Sequence, residues 1–231
     1  MRIIGNYKGS DSMADLICDN YPVLILMNRF GISLGVEKKS IEEVCYSHGV
    51  DVNTFLSVTN LMLHHTDHSY RPVTEGLSVV ELIKFLHSSH EYYYFDRLQW
   101  IRSRLIEFLE KGKISNLIIQ YFDDYVLQIR EHFRYEEELL FPYVLKLMKG
   151  EATGDFSIAT FEEKHDHIEE PLNEFKDVII KYYNGSNSLS VTHIIHDLLQ
   201  CANDLLVHNK FEDLILVPIA KQLELDKYGS K

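Results

Sequence analysis

The chain has 231 residues, 45% of them hydrophobic, with a formal net charge of -12 and a sequence pI near 5.4. That length allows one large domain or a bundle with a small extra unit, and the acidic balance argues against nucleic acid or an anionic membrane as partner, since both reward clustered Lys and Arg. Cys18, Cys45 and Cys201 are scattered without a CxxC pair, and neither a signal-peptide core nor an apolar span stands out, so a cytoplasmic protein with reduced thiols is expected.

Residues 1–72 read as a small helical unit. An apolar helix is expected over 14–30, then a turn over 31–39, a capping box at Ser40-Ile-Glu-Glu43 and a further helix from Asp51. Arg71-Pro72-Val73-Thr74 follows as a linker, because proline disfavours helix in the residue before it. Such a unit can form only a modest core. Its apolar stretch from Leu16 to Met27 is expected to meet the rest of the chain or a second copy, a homodimer being the simplest case.

Residues 73–231 read as four long helices, over 78–111, 114–149, 157–184 and 189–224. Ser78-Val-Val-Glu81 opens the first, and Gly112, Gly150 and Gly185 mark later ends. Apolar residues recur at three and four, as in Leu82, Phe85, Leu86 and in Leu198, Leu199, Ala202, Leu205, Leu206. Short links between comparable helices predict an all-α fold, an antiparallel four-helix bundle preceded by the small helical domain.

One spaced pattern occurs twice. His132-Phe-Arg-Tyr-Glu136 is followed by Pro142, and His208-Asn-Lys-Phe-Glu212 by Pro218, the proline coming ten residues after the histidine in both. Helix positions i and i+4 lie about 40° and about 6 Å apart on one face, so each imidazole points the same way as its carboxylate. The repeat reaches upstream, with His90 preceding His132 by 42 residues and His165 preceding His208 by 43. An aromatic residue stands before each Glu (Tyr135, Phe211) and an acid after it (Glu137, Asp213).

A lone His-x-x-x-Glu match carries little weight, since a single His or Glu on an amphipathic helix is usually solvated. Matched spacings along two helical hairpins are harder to obtain by coincidence. His90, His132, Glu136, His165, His208 and Glu212 are therefore the candidate metal ligands, the donor set of a two-metal site in a bundle interior. Glu169, one turn after His165, stands outside the repeat as a seventh ligand or as a partner to one. His167 cannot share a face with His165, His193 and His196 lie turns away from His208, and His64-His65-x-x-His68 reads as polar surface.

Imidazoles and carboxylates without thiolate suit iron, manganese or zinc, and carboxylates shared by two ions favour a non-haem pair of iron ions. Six protein ligands leave open coordination positions, which small-molecule binding and redox chemistry both need. A ferritin-like site fits less well, because only Glu162-Glu-Lys-His165 has the Glu-x-x-His spacing.

On these residues the chain resembles the Repair of Iron Centres (RIC) proteins, which join an ScdA-type N-terminal domain to a hemerythrin-like diiron domain. His90 matches the ligand of that domain's first helix, His132 and Glu136 those of the second, Glu-Lys-His165-Asp166 the third, and His208 with Glu212 the fourth. Leu140-Phe141-Pro142 and Leu216-Val217-Pro218 are similar to the family's L-F-P endings. The N-terminal unit matches at Phe30-Gly31-Ile32 and Ser40 to Cys45 but departs at its hallmark. Where the ScdA-type pattern carries adjacent cysteines, this chain reads Ser33-Leu34-Gly35-Val36-Glu37, so chemistry assigned to paired thiols does not carry over; Cys18 and Cys45 read as buried small side chains. The resemblance implies a cytoplasmic diiron protein of the nitric oxide and oxidative stress response that supports repair of iron-sulfur centres, with iron-sulfur proteins as partners. Two other classes share the same requirement for an open diiron site: a module that binds or senses oxygen or nitric oxide, and a peroxide or nitric oxide reductase. Whether the chain is an enzyme, and which residues would be catalytic, is left open by its residues.

Overall fold

The computed structural model describes residues 5–109, 113–151, 154–165, 168–183 and 189–229. Every element among them is helical, apart from an isolated bridge between Ser12 and Ser40. Gly112, Gly185 and His167 lie outside the described residues. None of the described helices is long and apolar enough to cross a membrane.

Four short helices come first: α1 (Met13–Asp19), α2 (Val23–Arg29), α3 (Ile41–His48) and α4 (Val52–Leu63). Side-chain caps start three of them. Ser12 accepts from the Asp15 N–H, Asp51 from the Thr54 N–H, and Ser40 and Glu43 form the expected reciprocal box. The single helix expected over 14–30 is two, because Pro22 has no N–H to donate and its ring crowds the carbonyl four residues back. Leu16, Val23, Leu26 and Met27 are buried, whereas Leu24 and Ile25 stay about two-fifths exposed, at 39% and 40%. Cys45 is buried as expected; Cys18 is exposed, contrary to that expectation, since the helix turns it away from Leu16.

The longer helices contain wider turns. α5 (Val79–Glu91) passes through a π-helical stretch, Tyr92–Arg97, into α6 (Leu98–Phe108); α7 (Lys113–Tyr135) passes through Glu136–Leu140 into α8 (Phe141–Met148). After α9 (Ile158–Glu162) and α10 (Glu169–Tyr182), α11 (Leu189–Phe211) passes through Glu212–Leu216 into α12 (Val217–Tyr228). Two of these stretches precede the repeated prolines. With no proline N–H for the carbonyl four residues back, the turn before it opens, and the Phe141 and Val217 N–H groups reach five residues back to Glu136 and Glu212. Nothing in the sequence of Tyr92–Arg97 accounts for the third.

The third long helix, expected over 157–184, is interrupted. α9 ends at Glu162 and α10 begins at Glu169, which leaves His165 outside either helix. Pro171 supplies the reason: it is tolerated in the first turn of α10, where N–H groups have no partner anyway, but not inside a continuous helix.

By contacts the chain divides into two compact units. One gathers the chain through Ser89 with Tyr143–Gly154 and the segment from Lys210 onward; the other holds His90–Pro142 and Asp155–Asn209. In the first, Phe30 stacks on Phe85 of α5 (ring centroids 4.6 Å apart) and Phe85 meets Phe211 edge-on at 5.3 Å. Ser57 donates to the Val73 carbonyl and the Ser78 N–H to Thr54, so the short helices share a core with the start of α5.

The second unit has a core drawn from every long helix: Leu98, Ile101 and Leu105; Phe122, Tyr125, Ile129 and Phe133; Leu172, Phe175 and Ile179; Leu198, Cys201 and Leu205. Their spacing of three and four keeps each set on one face. Partner numbers run in opposite directions along neighbouring helices. Tyr93 meets Phe133 while Arg102 pairs with Asp123; Tyr125 donates to the Ile168 carbonyl while Phe122 packs on Phe175; Tyr93 packs on His208 while Arg97 reaches Asp197. Each pair is therefore antiparallel, as short connections require.

Candidate metal centre

Glu136 is the meeting point. It opens the π-helical stretch after α7 and is fully buried, at 0% exposure. Its Oε1 lies 2.7 Å from His132 Nε2, one helical turn earlier, and 3.7 Å from His165 Nε2; its Oε2 lies 3.0 Å from His90 Nε2. The donor atoms of His90, Glu136 and His208 lie within 4.8 Å of one another, and so do those of His132, Glu136 and His165. One carboxylate thus belongs to two groups of imidazoles.

The protonation of this cluster tests its fit to metal ions. His90 Nδ1 lies 2.7 Å from Glu137 Oε1, and a carboxylate can only accept, so the Nδ1 proton is committed there. In a neutral His90 the Nε2 lone pair would then face the lone pairs of Glu136. Only a second proton or a cation between them relieves that, and neither Glu136 oxygen completes a hydrogen bond of good geometry. Burial by itself would raise the Glu136 pKa, but His132 and His90 outweigh it and hold the carboxyl well below its usual range. A buried carboxylate kept anionic among imidazole nitrogens is a donor set that cations complete, with protons standing in when the metal is absent.

Aromatic rings fix the imidazoles. His90 stacks on Phe133, with ring centroids 4.0 Å apart, and His165 stacks on Phe161 at 4.7 Å. His208 is fully buried and meets Tyr93 and Phe133 edge-on at 5.6 Å. Residues 81–220 match the hemerythrin HHE cation binding domain. The chain belongs to that family. A comparison with curated proteins returns no match.

The hemerythrin domain accommodates the sequence-derived residues unequally. His90, His132, Glu136, His165 and His208 come together as described. Glu212 follows one turn after His208 in the same helical run, opens its own π-helical stretch and is fully buried. Glu169, also buried, belongs to neither donor group; its Oε2 accepts from Asn209 Nδ2 at 2.5 Å, which ties α10 to the residue after His208. Because the helix is broken before Glu169, the turn-later relation to His165 assumed from a continuous helix does not hold. His64 stacks on Tyr70, with ring centroids 4.6 Å apart.

Two residues of the hemerythrin domain were not legible as participants. Glu137 entered the repeat only as an acid after each Glu, with no hint that its partner is His90, 47 residues away. Asn209 carried no signal at all.

Proposed function

We propose that this hemerythrin-family chain is a cytoplasmic non-haem diiron protein of the RIC type, which supports repair of iron-sulfur centres during nitric oxide and oxidative stress. The observation that carries the reading is the sharing of one fully buried Glu136 by two sets of imidazoles. In this reading His90 and His208 would hold one ion and His132 and His165 the other, with Glu136 within reach of both. The sequence repeat makes Glu212 the second shared carboxylate. Glu169 acts through its hydrogen bond to Asn209 rather than as a ligand. Two iron ions so held would supply open coordination positions and electrons for a small ligand such as nitric oxide or oxygen. The protein's own part is to keep the carboxylate anionic and to aim the imidazoles by packing Phe133 and Phe141 on His90 and Phe161 on His165.

Residues 73–231 form the metal-binding domain in this proposal, and residues 1–72 a docking unit. Tyr21, Leu24 and Ile25 stay exposed in that unit and are the surface proposed for a homodimer. The test is metal content with spectroscopy. Iron-loaded protein should hold two iron ions per chain, show magnetic coupling between them, and pass iron to an apo iron-sulfur protein. A stable oxygen adduct without iron transfer would favour reversible gas binding, and steady turnover of peroxide or nitric oxide would make it a reductase. Binding of fewer than two metal ions per chain would refute all three.

A further inference from the structure

The two imidazole sets differ in what surrounds them. A pocket of about 810 Å³, open to solvent, is lined by His132, His165 and Tyr135 together with the exposed Glu131, Glu170 and Glu174. A water-sized molecule occupies only about 30 Å³, so this space admits a hydrated ion and a small chelating group together. The His132 side chain is nine-tenths buried, at 10% exposure, and its Nε2 completes no hydrogen bond of good geometry. Lys164 also lines the pocket and Arg134 pairs with Glu131, yet carboxylates outnumber the cations among the lining residues. His90 and His208 are packed by Phe133 and Tyr93, as His165 is by Phe161, but neither lines this pocket.

We infer that the two metal positions exchange at different rates: the ion at His132 and His165 is the labile one, loaded and released through the pocket, while the ion at His90 and His208 is retained. The inference rests on the two-ion reading above and adds which ion is delivered. Exchange at the labile position needs only the substitution of protein donors by water or by an incoming chelator within existing space, with no redox change. At the retained position the same substitution requires aromatic packing to open first.

The full-length protein, loaded anaerobically with two equivalents of ferrous iron, is mixed with excess chromogenic ferrous chelator. Release is expected in two phases of equal amplitude with rates differing at least tenfold. His165→Ala should abolish the fast phase and leave the slow one unchanged. Should that variant fail to fold, the exposed pair E170Q/E174Q carries the test in the reverse direction, slowing the fast phase of ferrous uptake by metal-free protein severalfold at low salt while sparing the slow phase, with the difference fading at high salt as charges are screened. Release in a single phase, loss of the slow phase in His165→Ala, or no change in the fast uptake phase of E170Q/E174Q would each overturn the inference. A wild-type protein that takes up fewer than two iron ions overturns the two-ion reading, and the inference with it.

Discussion

Glu137→Ala removes a side chain that is proposed not to touch metal but to decide how His90 presents itself. The 2.7 Å contact from Glu137 Oε1 holds the Nδ1 proton of His90, which leaves Nε2 facing Glu136 Oε2 at 3.0 Å. Without Glu137 the imidazole can switch tautomer and present a protonated Nε2, a state that cannot bind metal until it reverts. Loss of such an outer partner typically weakens metal affinity about 10- to 100-fold, or about 1.4–2.8 kcal/mol. For a chain of this size each kcal/mol is worth about 2–4 °C in Tm, so the gain in Tm on metal binding should shrink by roughly 3–11 °C. The metal-free protein should change little, because the Glu137 side chain is 32% exposed. Chelator-competition titration with ferrous iron reads the affinity, thermal denaturation with and without metal reads the linkage, and the exposed neighbour Glu138→Ala is the control. Affinity within twofold of the parent, or equal losses of Tm in both forms, would refute the positioning role and leave Glu137 as ordinary surface charge.

Other expectations follow from the same geometry. Glu136→Gln should weaken magnetic coupling between the two iron ions more than His90→Gln does, because an amide oxygen bridges poorly; equal effects would deny the carboxylate its shared position. Deleting residues 1–72 should leave iron bound, since all six proposed ligands lie later in the chain, but should lower Tm, because Phe85 loses its stack on Phe30. Loss of iron, or an unchanged Tm, would count against that division. In native protein at pH 8 an alkylating reagent should modify one thiol, Cys18, and all three after denaturation. Burial pushes the Cys45 thiol up to about 12, so roughly one part in ten thousand is thiolate at pH 8, and Cys201 is 1% exposed. Rapid modification of two or three native thiols would contradict the packing.

How much of this was legible in the chain depended on the range of the interaction. The pairing of His132 with Glu136 follows from helical periodicity alone, because residues four apart meet on any helix, and the caps at Ser40 and Asp51 are equally local. The bundle and its inward faces followed from the same periodicity. Breaks were legible in principle too: Pro22 and Pro171 each split a helix that apolar spacing alone made continuous. What no local rule could supply were contacts between distant segments. His90 finds Glu137, and Glu169 finds Asn209 rather than a place among the donors, because antiparallel packing sets their register across helices. The pocket beside His132 and His165 likewise arises between α7 and the segment that runs from Lys164 into α10, where side chains from distant parts of the chain fail to fill the space between them. Periodicity determined which donors could share a face, and tertiary packing decided which proton each one holds and which side of the site is open to solvent.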